Sequence, residues 1–281
     1  MSDFGSISGW TREKLECLEK YLDFYQTALK HQSFATVYID AFAGSGGTHG
    51  RAGGGEPGEF LEGAALRALR VAPPFRQYVF IERDPERLEQ LRRLARGDVD
   101  RVSAAGSRVA FVCGDANEVL PRIVPRFPKA SWRGVIFLDP YGMQVEWRTL
   151  EAIAAKPIFD VWYLFPMGAT VRLLASNSPP EGPNAERLDL VLGGPEWRSL
   201  YRPSRQQALF EEMERQERAH YTEIERFVLR RLRDLFPYVH EKTLLLRNSR
   251  GALMFSLLFA CSNTSENAHR LAKRAVLYLL G

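Results

Sequence analysis

Asp139-Pro140-Tyr141-Gly142 holds the residues best suited to act on a planar amine. A carboxylate at Asp139 can accept a hydrogen bond from an exocyclic amine and make its nitrogen a better nucleophile. The Pro140 carbonyl can accept the second proton of that amine, and the Tyr141 ring can stack on the base that carries it. The same four residues make a good type I or II turn, so the tetrapeptide alone leaves both readings open. Phe165 and Pro166 end a later apolar run and can form the opposite wall of that pocket. A core position suits Phe165 equally well.

Three earlier positions carry complementary chemistry. Asp40 precedes a turn with Gly44, Gly46 and Gly47, and such glycines let the backbone approach a ligand and adopt positive φ. A dinucleotide fingerprint would need glycines at 44, 46 and 49; residue 49 is His, so that fingerprint fails. Glu82 can accept from both hydroxyls of a ribose, or it can pair with Arg83 or Arg87 on the surface. Asp115, in Gly114-Asp115-Ala116-Asn117, can accept from an adenine amine while the next backbone N–H reads a ring nitrogen. It can equally N-cap the helix that follows, and the two roles are compatible. Taken together, the three positions fit one adenosine-containing ligand.

The elements that must hold these residues are short, apolar, and β-branched or aromatic: 37–42, 78–82, 109–114, 134–139 and 159–165. Strands apolar on both faces are what a helix-covered parallel sheet requires. Helical segments at 65–71, 85–96, 117–124 and 147–155 supply the crossovers of an open, doubly wound α/β sheet. Ligands of such sheets sit at the carboxyl ends of the strands, where the acids and glycines fall. Ahead of the sheet, Thr11 caps a helix with Leu15, Leu18, Leu22, Tyr25 and Leu29 at helical spacing. Residues 46–63, with eight glycines, read as a mobile loop, and 176–188 as a second loop before a turn at 193–197. The expected organisation is an N-terminal helix and ligand-binding core over 1–201, a helical insertion or lid over 202–240, and a C-terminal hairpin and helix over 241–281. Asn248–Gly251 forms the hairpin turn.

The chain has 281 residues, 45% hydrophobic and 26% charged, enough for one sizeable core. No apolar run approaches the roughly 18 residues of a membrane span, and the first residues lack the pattern of a secretion signal. Cys17, Cys113 and Cys261 show no paired or metal-ligand spacing, and the five histidines show none either. No disulfide, metal or membrane is therefore expected, and the cytoplasm is the expected compartment. The net charge of +4 is uneven: residues 1–201 hold 24 Lys+Arg against 25 Asp+Glu, and 202–281 hold 14 against 9. In ERFVLRRLRDLF (225–236), Phe227, Val228, Leu232, Leu235 and Phe236 form an inward stripe. Arg226, Arg230, Arg231 and Arg233 then face solvent, with Arg247 and Arg250 flanking the hairpin turn. These arginines either cover apolar surface with their stems or form a phosphate-facing patch, in which Arg230, Arg247 and Arg250 would contact substrate.

In order, VYIDAFAGSG, YVFIERD, FVCGDANEVL, FLDPYG and YLFP resemble a class I S-adenosyl-L-methionine-dependent methyltransferase. More narrowly they resemble the three-Cys-motif partner protein (TcmP) family. The likeness extends through Trp10, Lys14 and Tyr21 and through LLLRNSRGALMFSLLFACSN, and covers nearly the whole chain. It implies a Rossmann-like class I methyltransferase fold, a mostly parallel sheet with an antiparallel C-terminal hairpin and a helical insertion. The implied cofactor is S-adenosyl-L-methionine, and the implied protein partner is radical-SAM-like with three cysteines. The pattern makes Asp40, Phe42, Gly44 and Gly46 the methionine-side loop, Glu82 the ribose ligand, and Asp115 with Ala116 the adenine ligands. Asp139, Pro140 and Tyr141 correspond to the signature of enzymes that methylate exocyclic amines of bases. FLDPYG is also similar to the DPFG of tRNA guanine-N2 dimethyltransferases. The chain departs from these patterns with Tyr141 in place of a second proline and with GAAL at 63–66 in place of GSPL. The activity so implied is methylation of a nucleobase amine in RNA or DNA. The alternatives are a non-catalytic cofactor-binding partner of the three-Cys protein, or a small-molecule methyltransferase with 202–240 as its lid.

Overall fold

A computed structural model describes residues 9–51, 57–175, 177–203 and 216–280. The chain opens with α1 (Gly9–Leu29) and β1 (Ala35–Asp40), then a hairpin of β2 (Gly47–Arg51) and β3 (Pro57–Glu62). Helix α2 (Ala64–Arg70) leads to β4 (Gln77–Glu82), α3 (Pro85–Leu94) and α4 (Arg96–Ala104) lead to β5 (Arg108–Cys113), and α5 (Ala116–Ile123) leads to β6 (Trp132–Leu138). Next come α6 (Trp147–Ala154), β7 (Phe159–Phe165), α7 (Met167–Leu173) and α8 (Gly182–Leu192). A small hairpin of β8 (Tyr201–Pro203) and β9 (Gln216–Arg218) precedes α9 (Tyr221–Arg233). The last elements are β10 (Tyr238–Val239), β11 (Leu244–Arg247), β12 (Leu253–Cys261) and α10 (Glu266–Leu280).

The main sheet has eight strands in the order β10-β12-β7-β6-β1-β4-β5, with β11 also on β12. Strands β5, β4, β1, β6 and β7 are parallel; β12 is antiparallel to β7 and to both outer strands. The outer edge is divided: β10 pairs with Ala260 and Cys261, β11 pairs with 253–257, and the register shifts between Leu246 and Arg247. Strand order reverses between β1 and β6. This is a Rossmann-like class I methyltransferase fold.

Both faces of β1, β4, β6 and β7 are buried, as their apolar composition requires, while the edge strand β5 is only half-buried. On one face Val37, Ile39, Ile136, Leu138 and Val161 join α5, α6, α8 and α9 in one core layer. On the other, Tyr38, Val135, Phe137, Trp162 and Phe80 meet α1, α2 and α10. Each such side chain contributes about 1.5–3 kcal/mol by leaving water. Five strands, the hairpin with its Asn248–Gly251 turn and the last helix match expectation.

Several elements differ from the sequence reading. Helix α1 starts at Gly9, so Thr11 lies inside it rather than capping it. The expected single helix 85–96 is two, α3 and α4. The glycine-rich stretch 46–63 is a β2–β3 hairpin where described, paired through Thr48↔Leu61, with 52–56 outside the described residues. Much of the expected loop 176–188 is α8, because Pro183 at its start presets a helical φ and Ala185, Leu188 and Val191 face the core at helical spacing. Among its described residues the segment 202–240 is helical only over α9, the others holding β8, β9 and β10, and 204–215 lie outside the described residues. Within α9 the apolar stripe faces inward as expected, but Arg231 does not face solvent. Its side chain is 19% exposed, and its guanidinium lies over the Trp147 ring and donates to the Leu192 and Gly193 carbonyls at 3.3 and 2.8 Å.

Candidate functional site

A cleft of about 1170 Å³ opens at the carboxyl ends of the parallel strands, beside the point where strand order reverses. Its floor begins at the end of β1. Asp40 is 1% exposed and sits below that floor, accepting the Phe42 N–H at 3.2 Å, while Ala41, Phe42 and Gly44 line the cleft. Burial, the like charge of Asp139 and that of Glu82 push the Asp40 carboxyl up to about 7, against the Phe42 N–H and Lys14. Gly44 has φ +62, and a side chain there would be strained even though the space beyond it is open. Its N–H donates to Glu82 Oε2 at 2.9 Å, and the Asp84 N–H donates to Oε1 at 2.9 Å. Glu82 thus fixes the glycine turn and lines the cleft, with each oxygen keeping capacity to accept a further hydrogen bond. It does not pair with Arg83 or Arg87, which line the same wall.

Asp115 N-caps α5 by accepting the Asn117 N–H at 2.8 Å, and with Ala116 it also lines the cleft. Asn117 is the brace behind it. Its Nδ2 donates to the Gln144 carbonyl, and its Oδ1 accepts the Glu146 N–H and the Thr149 hydroxyl at 2.8–3.0 Å. That side chain locks the loop after β6 against α5, and this loop carries Asp139, Pro140 and Tyr141 into the cleft. The Tyr141 N–H donates to Gln144 Oε1 at 2.8 Å, and the residue is 78% exposed.

The sequence reading gave Lys14 no role beyond its part in the family likeness. Its ammonium projects from α1 and pairs with Asp139 Oδ2 at 2.5 Å; the two side chains are 8% and 22% exposed. It also lies 5.3 Å from the Trp10 ring, which contacts Phe255 at 5.0 Å. Trp10, Lys14, Met254 and Phe255 form one wall, and Pro166, Ala169, Arg172 and Arg187 another. A helical pattern read only for its apolar stripe does not reveal a lysine at the helix's cleft end.

Phe42, Gly44, Glu82, Asp115, Ala116, Asp139, Pro140, Tyr141 and Pro166 therefore line one cleft. Asp40 and Gly46 stand behind it as supports; the Gly46 carbonyl accepts the Gly63 N–H at 2.8 Å. Phe165 is a core residue, 1% exposed and edge-on to Tyr163, because its strand position points it into the sheet's packed face. Arg230 is exposed on α9, outside the cleft. Arg247 reaches back to the Gly251 carbonyl and the Tyr221 hydroxyl, and Arg250 is exposed in the turn; neither lines the cleft. No described residue of 202–240 lines it, so this segment is not its lid among the described residues. Among the described residues no His, Cys, Asp or Glu cluster could hold a metal ion, and no helix is long and apolar enough to cross a membrane.

No family model and no curated protein matches the chain. Among solved structures it is similar to protein LPL1258 from Legionella pneumophila, at 12% identity and TM-score 0.48 over 94% of this chain and 91% of that one. It is similar to Trm1 from Pyrococcus horikoshii, solved with S-adenosyl-L-methionine, at 12% identity and TM-score 0.41 over 94% and 71%. It is also similar to the methyltransferase domain of bacterial CtHen1, at 12% identity and TM-score 0.39 over 87% and 98%. These are distant likenesses, and the fold assignment rests on the strand order itself.

Proposed function

We propose that this chain is an S-adenosyl-L-methionine-dependent methyltransferase acting on an exocyclic amine of a nucleobase in RNA or DNA. One observation carries the reading: the glycine turn, Glu82, Asp115 and Asp139-Pro140-Tyr141 line one cleft at the reversal point of a class I sheet. The residues suit the cofactor. Glu82 offers a carboxylate to a ribose diol, Asp115 accepts beside the Ala116 N–H, and Gly44 leaves open space where a side chain would stand. When bound, the cofactor supplies an electrophilic methyl group on a sulfonium.

The chain's own contribution is orientation. Lys14 occupies Asp139 Oδ2, so Oδ1 is the oxygen left to accept from the acceptor amine. That hydrogen bond and one to the Pro140 carbonyl aim the nitrogen lone pair and stabilise positive charge as it develops there. Tyr141 stacks on the ring that bears the amine. Calorimetric titration with S-adenosyl-L-methionine and S-adenosylhomocysteine, followed by tritiated methyl transfer onto RNA, DNA and protein fractions, tests the reading. Binding of both compounds and label on nucleic acid are expected; failure to bind either would remove it. We propose a radical-SAM-like three-Cys-motif protein as the partner, tested by copurification on coexpression. Tight association without transfer to any fraction would replace the enzyme with a non-catalytic partner.

A further inference from the structure

The carboxylates at the acceptor end of the cleft are already matched. Asp139 pairs with Lys14, and Glu146 pairs with Arg148. Arg172 and Arg187 line the same cleft, both exposed, and neither has a carboxylate or hydrogen-bond partner among the described residues. Their neighbours behave differently: Arg198 pairs with Asp189, Arg202 with Glu223, and Arg231 with Glu196 and Asp234. These two guanidinium groups therefore bring unmatched positive charge to the cleft.

Arg172 sits on a fixed support. The Thr170 hydroxyl, two residues earlier, lies 3.0 Å from both the Pro166 carbonyl and Met143 Sδ and shares its one proton between them, which ties α7 to the Asp139 loop. Arg218 Nη1 donates to the Val171 and Leu174 carbonyls at 2.6 and 2.8 Å and clamps the last turn of α7. Aromatic surface completes the arrangement, with Tyr141 exposed on one side and Trp10 against Phe255 on the other. Guanidinium groups on a cleft rim with rings at its mouth suit a flexible strand, phosphates on the arginines and bases on the rings. A paired base cannot reach Asp139 without leaving its stack, which favours single strands.

Resting on the methyltransferase reading, we infer that Arg172 and Arg187 form the phosphate subsite of a single-stranded nucleic-acid acceptor, in place of the arginines of α9 and the β11–β12 turn. The full chain is mixed with fluorescein-labelled single strands of RNA and of DNA, about 12 nucleotides long. Anisotropy is read between roughly 50 and 200 mM salt. Binding of either strand by the unaltered chain that R172E/R187E loses supports the subsite, and the stronger strand identifies the sugar. R172E/R187E is expected to weaken binding about tenfold or more and to lower the slope of log K against log salt by about 1.4, two contacts at ~0.7 each. R226E/R230E should stay within about twofold. Calorimetry with S-adenosyl-L-methionine on every variant reports on folding and on the cofactor reading separately. Cofactor binding with no strand binding overturns the subsite alone, and so does strand binding that R226E/R230E removes and R172E/R187E keeps. Preference for free AMP over either strand also overturns it. Loss of cofactor binding in the unaltered chain, with arginine-dependent strand binding intact, overturns the cofactor reading instead.

Discussion

Helix α1 serves two aspartates at opposite ends of the sheet and serves them differently. At the carboxyl end, Lys14 meets Asp139 with a cation, and the carboxylate stays partly open to the cleft. Two turns later, Tyr21 donates its hydroxyl to Asp160 Oδ2 at 2.6 Å, where β7 begins. There the company is a buried phenol, the buried Cys261 thiol and the Trp162 and Phe259 rings. Burial pushes the Asp160 carboxyl up to about 6, against hydrogen bonds from Cys261 and Tyr21 and the charge of His269. The contrast shows how one helix supplies both a cation at a cleft and a neutral donor within a packed layer. A cation at a cleft leaves an oxygen for a ligand, whereas neutral donors in a packed layer use the carboxyl to hold strand and helix together.

Breaking the cleft end should have the largest effect. Asp139→Ala is expected to lower methyl transfer by about a thousandfold while cofactor affinity is kept; unchanged turnover on the acceptor would sink the assignment. Lys14→Met is expected to lower kcat by roughly ten- to a hundredfold with little change in KM for the cofactor, because Asp139 loses its fixed orientation. Lys14→Arg should restore much of it, and equal loss in both variants would speak for packing alone. At the other end, Tyr21→Phe should cost about 1–2 kcal/mol of stability, read from denaturant midpoints, and leave transfer untouched.

The smallest effect is a difference between two slopes. Asp160 at about 6 and Asp40 at about 7 both lie above the ordinary 3.8, so the folded chain holds these protons more tightly than the unfolded one. Their contribution to stability is full below about pH 4 and is lost as pH rises through about 6 and 7. Stability measured across that window should fall more gently in Asp160→Asn than in the unaltered chain. Tyr21→Phe should move the Asp160 part upward in pH, because the phenol hydrogen bond lowers that pKa.

Strand-end residues were legible because each strand of a covered sheet is an apolar run whose last residue must emerge at the ligand edge. That reasoning reached Glu82, Asp115 and Asp139 one by one. It overreached at Phe165, where alternation along β7 decides the face and the strand's end does not. The walls were less legible. Lys14, Arg172 and Arg187 come from helices, and only packing of those helices on the sheet turns them towards the cleft. Arg231 misled for a related reason: four arginines in one helix look alike until Trp147 and the end of α8 claim one. Gly193 closes that end at φ +80, and a Cβ there would lie 2.5 Å from the Trp147 ring, a contact invisible before the fold is known.

The divided outer edge bears on how the molecule behaves in a crowd. An exposed strand edge invites another chain to add to the sheet, and proteins guard against this with short or kinked edge strands. Here an approaching chain meets the two residues of β10, then an interruption, then the four of β11 ending in a register shift at Leu246 and Arg247. Neither piece reaches the five or six residues of an ordinary strand. Along this flank the sheet resists edge-to-edge aggregation, and a change that made 238–247 one continuous strand would be expected to promote it.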